Sequence, residues 1–259
     1  MRKYLYLLKV NLSQIGSYRA DLLFSWLTRV FQMAVVFILW SITQKTESEI
    51  NRLFTYYILF FLFFDLVATG RITRIISREI RRGDLSGFLL KPINYIVGVW
   101  IKVLGFITAR LIIPLGIVLI LALIRPDILA PTSTINFLLF LASSFLFLFL
   151  WNFFVTIIGC ISFWVNEVMQ LLNVINLLLN IIIGRYIPLY LFPQNVQDII
   201  SLTPANYFGN FQISLYQGSL PNETIVRGFI VMIFWIITFA ILTNILYKKG
   251  VRIYEASGN

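Results

Sequence analysis

The sequence predicts an all-α, polytopic membrane protein, with six transmembrane helices, an interfacial helix at the amino terminus and both termini cytoplasmic. Three observations carry this prediction. Hydrophobic residues make up 59% of the 259 residues and charged residues only 12%, about half the charged share of a soluble domain. Leu, Ile and Phe gather in long runs of roughly 18 residues or more, enough to cross the ~30 Å hydrocarbon core as helices. Those runs lack the alternation that the strands of a membrane barrel show.

Taken in order, the opening stretch "MRKYLYLLKVNLSQIGSYRA" (1–20) puts Tyr4, Leu8, Leu12 and Ile15 on one helical face among basic residues. It has neither the apolar core nor the small-residue cleavage site of a signal peptide, and is expected to lie in the membrane interface. The first span is predicted near Asp21–Thr43 and the second near Leu53–Thr69, with a basic segment at 71–92 after it. The apolar stretch Tyr95–Ile124 would be about 45 Å long as a helix, more than one crossing requires. Asn94–Lys102 is therefore assigned to the interface and the third span to Val103–Ile124, kinked at Pro114. A polar turn, "RPDILAPTST", leads to a fourth span near Phe137–Trp164. After the tight turn "VNE" comes a fifth at Val168–Ile183. A long connection at 184–224 precedes the sixth span, Ile225–Tyr247, and a short tail. The whole of 1–259 reads as a single transmembrane domain.

Orientation follows from the basic residues. A cytoplasmic amino terminus puts thirteen inside and leaves Lys45, Arg52, Arg125, Arg185 and Arg227 outside, the bias of the positive-inside rule. The net charge of +10 is read in the same way, and no nucleic-acid partner is expected. With no histidine and one cysteine, Cys160, a structural zinc site, a histidine-based triad, a haem site and a disulfide framework are all excluded. No catalytic residue, metal ligand or bound cofactor is expected.

The basic segment is the most informative. On a helical wheel Ile72, Ile75, Ile76 and Ile80 form one stripe, and Arg71, Arg74, Arg78, Arg81 and Arg82 lie opposite. That is an amphipathic helix at the membrane surface, with Gly83 suited to stop it. Its arginines can anchor to lipid phosphates, or the helix can dock a cytoplasmic partner. The chain has no G-x-x-x-x-G-K-[ST] loop, so a pump built on it needs its motor in another subunit.

Within the spans, Arg29, Asp65 and Arg110 come to similar depths, Arg29 about 12 Å from the inner end of its helix. They are candidates for an intramembrane charge cluster, since ionisable groups there need partners; the alternative is that the arginines snorkel to the headgroups. Trp40, Tyr56, Tyr57, Trp100, Trp164 and Tyr186 near the span ends are expected to form an aromatic belt. In the outward connection, Pro188, Pro193, Pro204 and Pro221 forbid one continuous helix, yet Ile187–Phe192 and Val196–Leu202 are too apolar for a free loop. Short re-entrant helices in the outer leaflet reconcile the two, and Pro188, Phe192, Pro193 and Pro204 are candidates for an outer gate.

Three passages carry a family resemblance: "SYRADLLFSWLTRVFQMAVVFILW", "EIRRGDLSGFLLKPINY" and "IPLYLFPQNVQDIISLTPANYF". They are similar to the opening, the cytoplasmic segment after the second span and the outward connection of type 2 ATP-binding-cassette exporter permeases, in the small six-span bacterial branch. The resemblance implies the membrane subunit of an exporter in a bacterial inner membrane, moving an amphipathic or lipid-like substrate outward. It further implies a separate ATPase subunit that binds ATP and magnesium, and a second permease, identical or paralogous, among membrane lipids. The ATPase-coupling role would fall on Arg74, Arg78, Glu79, Arg81, Arg82, Gly83 and Asp84. Two other classes compete: a secondary transporter driven by an ion gradient, which would show internal repeats, and an intramembrane lipid-modifying enzyme, which would need a catalytic dyad or acidic metal site.

Overall fold

The computed structural model describes residues 19–257, apart from 45, 68–69, 91–93 and 130. Within its helices the side chains at 19–23, 25–26, 29, 62–67, 109–110, 112–113, 126–127 and 255–257 are also outside the description. The predicted interfacial helix at 1–20 therefore lies almost wholly outside it.

The described residues form helices and no strand: α1 (Arg19–Ser41), α2 (Glu47–Val67), α3 (Arg71–Arg82), α4 (Leu85–Leu89), α5 (Tyr95–Ile124), α6 (Pro126–Leu129), α7 (Thr134–Cys160), α8 (Val168–Ile182), α9 (Gln194–Leu202), α10 (Asn210–Tyr216) and α11 (Asn222–Ser257). Short 3-10 turns cover Ile161–Phe163, Leu189–Leu191 and Pro204–Phe208. The stretches Thr134–Phe163 and Asn222–Tyr254 are each long and apolar enough to cross a bilayer, and shorter apolar helical stretches cover Val30–Ser41, Tyr95–Thr108, Pro114–Ile124 and Val168–Ile182. Large side chains such as Phe24, Phe31, Leu123 and Ile230 stand exposed, which suits lipid and would be a liability in water.

α7 is the hub. α11 runs along it, and α3 and α10 pack on it as well. Leu150, Trp151 and Val155 are buried at the centre of the resulting core. α1 pairs with α2, and α2 leans on α5.

Helix starts follow local chemistry. α2 begins six residues before the predicted span because "TESE" forms a reciprocal cap: Glu49 N–H donates to Thr46 Oγ1 (3.3 Å), and Thr46 N–H donates to Glu49 Oε2 (3.1 Å). α5 starts where Asn94 Oδ1 accepts from Val97 N–H at 3.2 Å, and continues through Pro114 as one helix. The stretch assigned to the interface and the third span thus belong to a single helix. α11 is longer than predicted. The expected tail continues it to Ser257, because Gly250 lets the helix seat directly on the Phe163 ring.

Four of the expected belt aromatics face inward. Tyr56 and Tyr57 are buried, and the Tyr56 hydroxyl donates to the Gly184 carbonyl at 2.9 Å. Trp40 Nε1 donates to the Tyr186 carbonyl at 2.6 Å, and Trp100 Nε1 to Thr156 Oγ1 at 2.9 Å. Their polar tips meet protein groups instead of lipid headgroups, and so tie the 184–224 connection to the α1–α2 hairpin and α5 to α7.

Candidate coupling surface and outer cavity

The basic segment is α3 followed by α4, and its two faces have different surroundings. Ile72 and Ile76 are each 1% exposed and Thr73 is fully buried. This apolar face rests on α7, α5 and α8, so protein covers it rather than lipid, contrary to the expected membrane-surface helix. Gly159 on α7 permits the contact: a Cβ there would stand 3.0 Å from Ile76 Cδ1 and 3.3 Å from Thr73 Cα. The Thr73 hydroxyl seals the junction by donating to the Val155 carbonyl at 2.7 Å.

The outer face carries the predicted cations. Arg74, Arg78, Arg81 and Arg82 are exposed, as are Gly83 and Asp84. Gly83 ends the helix at φ 79°, a left-handed conformation that glycine adopts without strain. Lys91 and Pro92 of this segment lie outside the described residues. Arg71 leaves the basic row: its guanidinium lies 3.7 Å from the Phe106 ring centroid on α5, a cation–π contact.

Glu79 departs from the predicted coupling set in position. It is 8% exposed and faces inward, where Lys102 Nζ approaches its Oε1 at 3.2 Å and the Tyr95 hydroxyl donates to its Oε2 at 2.7 Å. Around this pair, Tyr95 stacks on Tyr247 of α11 with ring centroids 5.7 Å apart, and Lys102 lies 4.2 Å from the Phe88 ring of α4. One carboxylate therefore joins α3 to α5, and the rings around it extend the cluster to α4 and α11. The sequence carries a signal for this: at 100° per residue Glu79 sits about 80° from Arg71, inside the isoleucine stripe. Tyr95 and Lys102 have no such signature.

Comparison with known families gives a match over residues 22–258 to the ABC-2 family transporter protein model. The chain belongs to the ABC-2 transporter family. No curated protein matches it significantly. Membership makes the chain an integral membrane transport component of the ATP-binding-cassette class, a permease without its own nucleotide-binding domain, whose family implies an ATPase partner.

Elsewhere in the permease, the side chains of Arg29, Asp65 and Arg110 lie outside the described residues, so the candidate charge cluster is placed only by its helices, α1, α2 and α5. A polar row that the sequence reading passed over lies on α8. Gln170, Asn173, Asn176 and Asn180 recur at intervals of three, three and four residues, which sets them on one helical face. Gln170 and Asn173 are exposed and Asn176 and Asn180 half-buried. The row ends at Arg185, whose guanidinium donates to Asn180 Oδ1 (3.5 Å) and, across to α1, to Gln32 Oε1 (3.0 Å).

The connection at 184–224, expected to face outward, folds as short helices, with Pro193 just before α9 and Pro204 opening the second of its 3-10 turns. Of the apolar stretches that excluded a free loop, Leu189 and Ile200 turn inward, whereas Leu191, Ile199 and Leu202 stand exposed; further along, Phe208 is fully buried and packs edge-on to Trp151 of α7 at 5.1 Å. Among the candidate gate residues, Pro188 is buried, Phe192 and Pro204 are half-buried and Pro193 is exposed. Beside them lies a polar cavity of about 490 Å³ between α9, α10 and the head of α11, which sequence reading did not reveal. Tyr207 on its wall donates to the Ser201 carbonyl at 2.8 Å. Burial pushes that hydroxyl up to about 12, against the pull of the Asn206 hydrogen bond and the Arg227 charge.

Proposed function

We propose that this permease is the membrane subunit of an exporter in a bacterial inner membrane, with six spans and cytoplasmic termini, working as a pair and driven by a separate ATPase docked on α3 and α4. The observation that carries the reading is the two-sidedness of α3. Its apolar face is fixed into the core, so Arg74, Arg78, Arg81 and Arg82 stand on a braced surface. A force applied there reaches α7 through Thr73 and α5 through Glu79. Six spans follow by taking α1, α2, α5, α7, α8 and α11 as the crossings. ATP binding in the ATPase shifts the permease only by binding its two conformations unequally, and a braced docking helix converts ATPase closure into such a difference.

The cargo in this reading is amphipathic or lipid-like and leaves past the outer connection. The second permease copy sits on α8. In a crossing helix, exposed carboxamides such as Asn173 need polar partners, and each offers both a donor and an acceptor. A two-fold related copy of the same face supplies them.

The test is co-purification of the tagged permease from its own membranes in mild detergent. A co-purifying ATPase with vanadate-sensitive hydrolysis is expected, together with its loss in Arg81→Glu/Arg82→Glu at unchanged membrane insertion. Full ATPase recovery and transport in that double variant would reject docking on α3.

A further inference from the structure

The outer cavity holds two opposite charges from different elements, Asp198 on α9 and Arg227 near the head of α11. Among the described residues they form no ion pair with each other or with any other side chain. Asp198 Oδ1 accepts from Gln194 Nε2 at 2.9 Å, and both Asp198 and Arg227 are solvent-exposed at the cavity's edge. The lining of the same cavity includes hydrogen-bond donors: Asn210, itself donating to Asn206 Oδ1 at 2.8 Å, together with Ser214 and Thr224. Leu189, Phe211 and Leu220 line the same space, so the cavity is amphipathic. Its volume of about 490 Å³ lies within the roughly 300–1,000 Å³ of small-molecule sites.

Two unpaired charges facing one space suit a ligand that carries both signs. A simple anion would satisfy Arg227 but meet the Asp198 carboxylate, and a simple cation would meet the reverse. We propose that this cavity binds an aminoalkyl phosphate headgroup, the phosphate on Arg227 and the hydroxyl and amide donors, the ammonium on Asp198, with the adjoining apolar part against Phe211 and Leu220. Arginine suits the phosphate through paired N–H donors. The same chemistry occurs on a phosphatidylethanolamine lipid and on a soluble aminoalkyl phosphate. As a stop on the exit side this deepens the exporter reading and rests on it for its role, while the binding itself needs no ATPase.

The experiment is native mass spectrometry of the full-length permease in detergent, without ATPase. Phosphatidylethanolamine and phosphatidylglycerol are offered at equal concentration, with soluble phosphoethanolamine as competitor. Wild type is expected to retain phosphatidylethanolamine at least about fivefold over phosphatidylglycerol. Arg227→Gln should lower retention of both by about tenfold, the scale of one charge-assisted contact, with Arg227→Lys intermediate. Asp198→Asn should keep binding but equalise the two lipids. Competition by phosphoethanolamine shows that the headgroup alone suffices; selectivity without competition identifies the lipid as the ligand. Both support the site. Equal retention of the two lipids by wild type, or wild-type selectivity in both Arg227→Gln and Asp198→Asn, overturns it. Intact lipid selectivity in a permease that recruits no ATPase would reject the exporter reading and leave this site standing.

Discussion

At the scale of single residues, Glu79 has the most to explain. A buried carboxylate is tolerated because Lys102 and Tyr95 both engage it, and removing one side leaves the other unsatisfied. Glu79→Ala is expected to lower stability in detergent by about 1–3 kcal/mol and to reduce transport-coupled ATPase activity while the ATPase still co-purifies. Glu79→Gln, which can still accept from Tyr95, should lose less in thermal melting. If ATPase binding fell with Glu79→Ala as is expected of the arginine double variant, Glu79 would belong to the docking face after all. Tyr207 offers a pH test. Its raised folded value means that the native state holds its proton longer than the unfolded chain, whose tyrosines ionise near 10. Its effect on stability is absent below about pH 10 and turns unfavourable as pH rises from there toward about 12. Tyr207→Phe should melt with a flatter pH dependence over that window.

At the scale of elements, the junction of α3 with α7 depends on a missing side chain. Gly159→Val would put a branched Cβ 3.0 Å from Ile76 Cδ1 and 3.3 Å from Thr73 Cα, and overpacking of this kind costs roughly 1–3 kcal/mol. The expected result is a permease that still inserts but shows weaker ATPase stimulation, with every arginine of α3 intact. Thr73→Val, which keeps the shape and loses the bond to Val155, should cost about 1 kcal/mol. Thermal melting alongside ATPase assays separates the two. Much of this was legible beforehand: the arginine row, the isoleucine stripe and the Gly83 stop are local patterns, and local patterns are set by the helical repeat. What covers the stripe was not legible, because lipid and protein both favour isoleucine and only packing distinguishes them.

For the whole molecule, α11 is one helix of 36 residues, about 54 Å long. It carries Arg227 beside the outer cavity at one end and Tyr254 close to Gly83 at the other. One continuous helix thus touches both regions, and in the proposed exporter it would carry movement from the α3 surface to the cavity. The pairing of two copies is tested on α8. In a Cys160→Ser background, which leaves no other cysteine, Asn173→Cys is expected to cross-link to its symmetry mate under mild oxidation. Asn173→Leu with Asn176→Leu should shift the permease toward monomer in native mass spectrometry. A cysteine at Asn173 that never cross-links would remove α8 from the dimer face.

The sequence by itself determined the class, the order of the helices and the basic face of α3, because hydropathy, helical periodicity and caps act over a few residues and need no partner. It also foretold the broken helices of the 184–224 connection, since proline acts on its own backbone. Only the tertiary structure decided that Glu79 turns inward to Lys102, that Tyr56 latches onto Gly184 across the chain, and that Asp198 and Arg227 share one cavity. Those facts depend on which distant elements meet, and the hydrophobic drive that packs helices carries no directional instruction for the polar groups brought along with them.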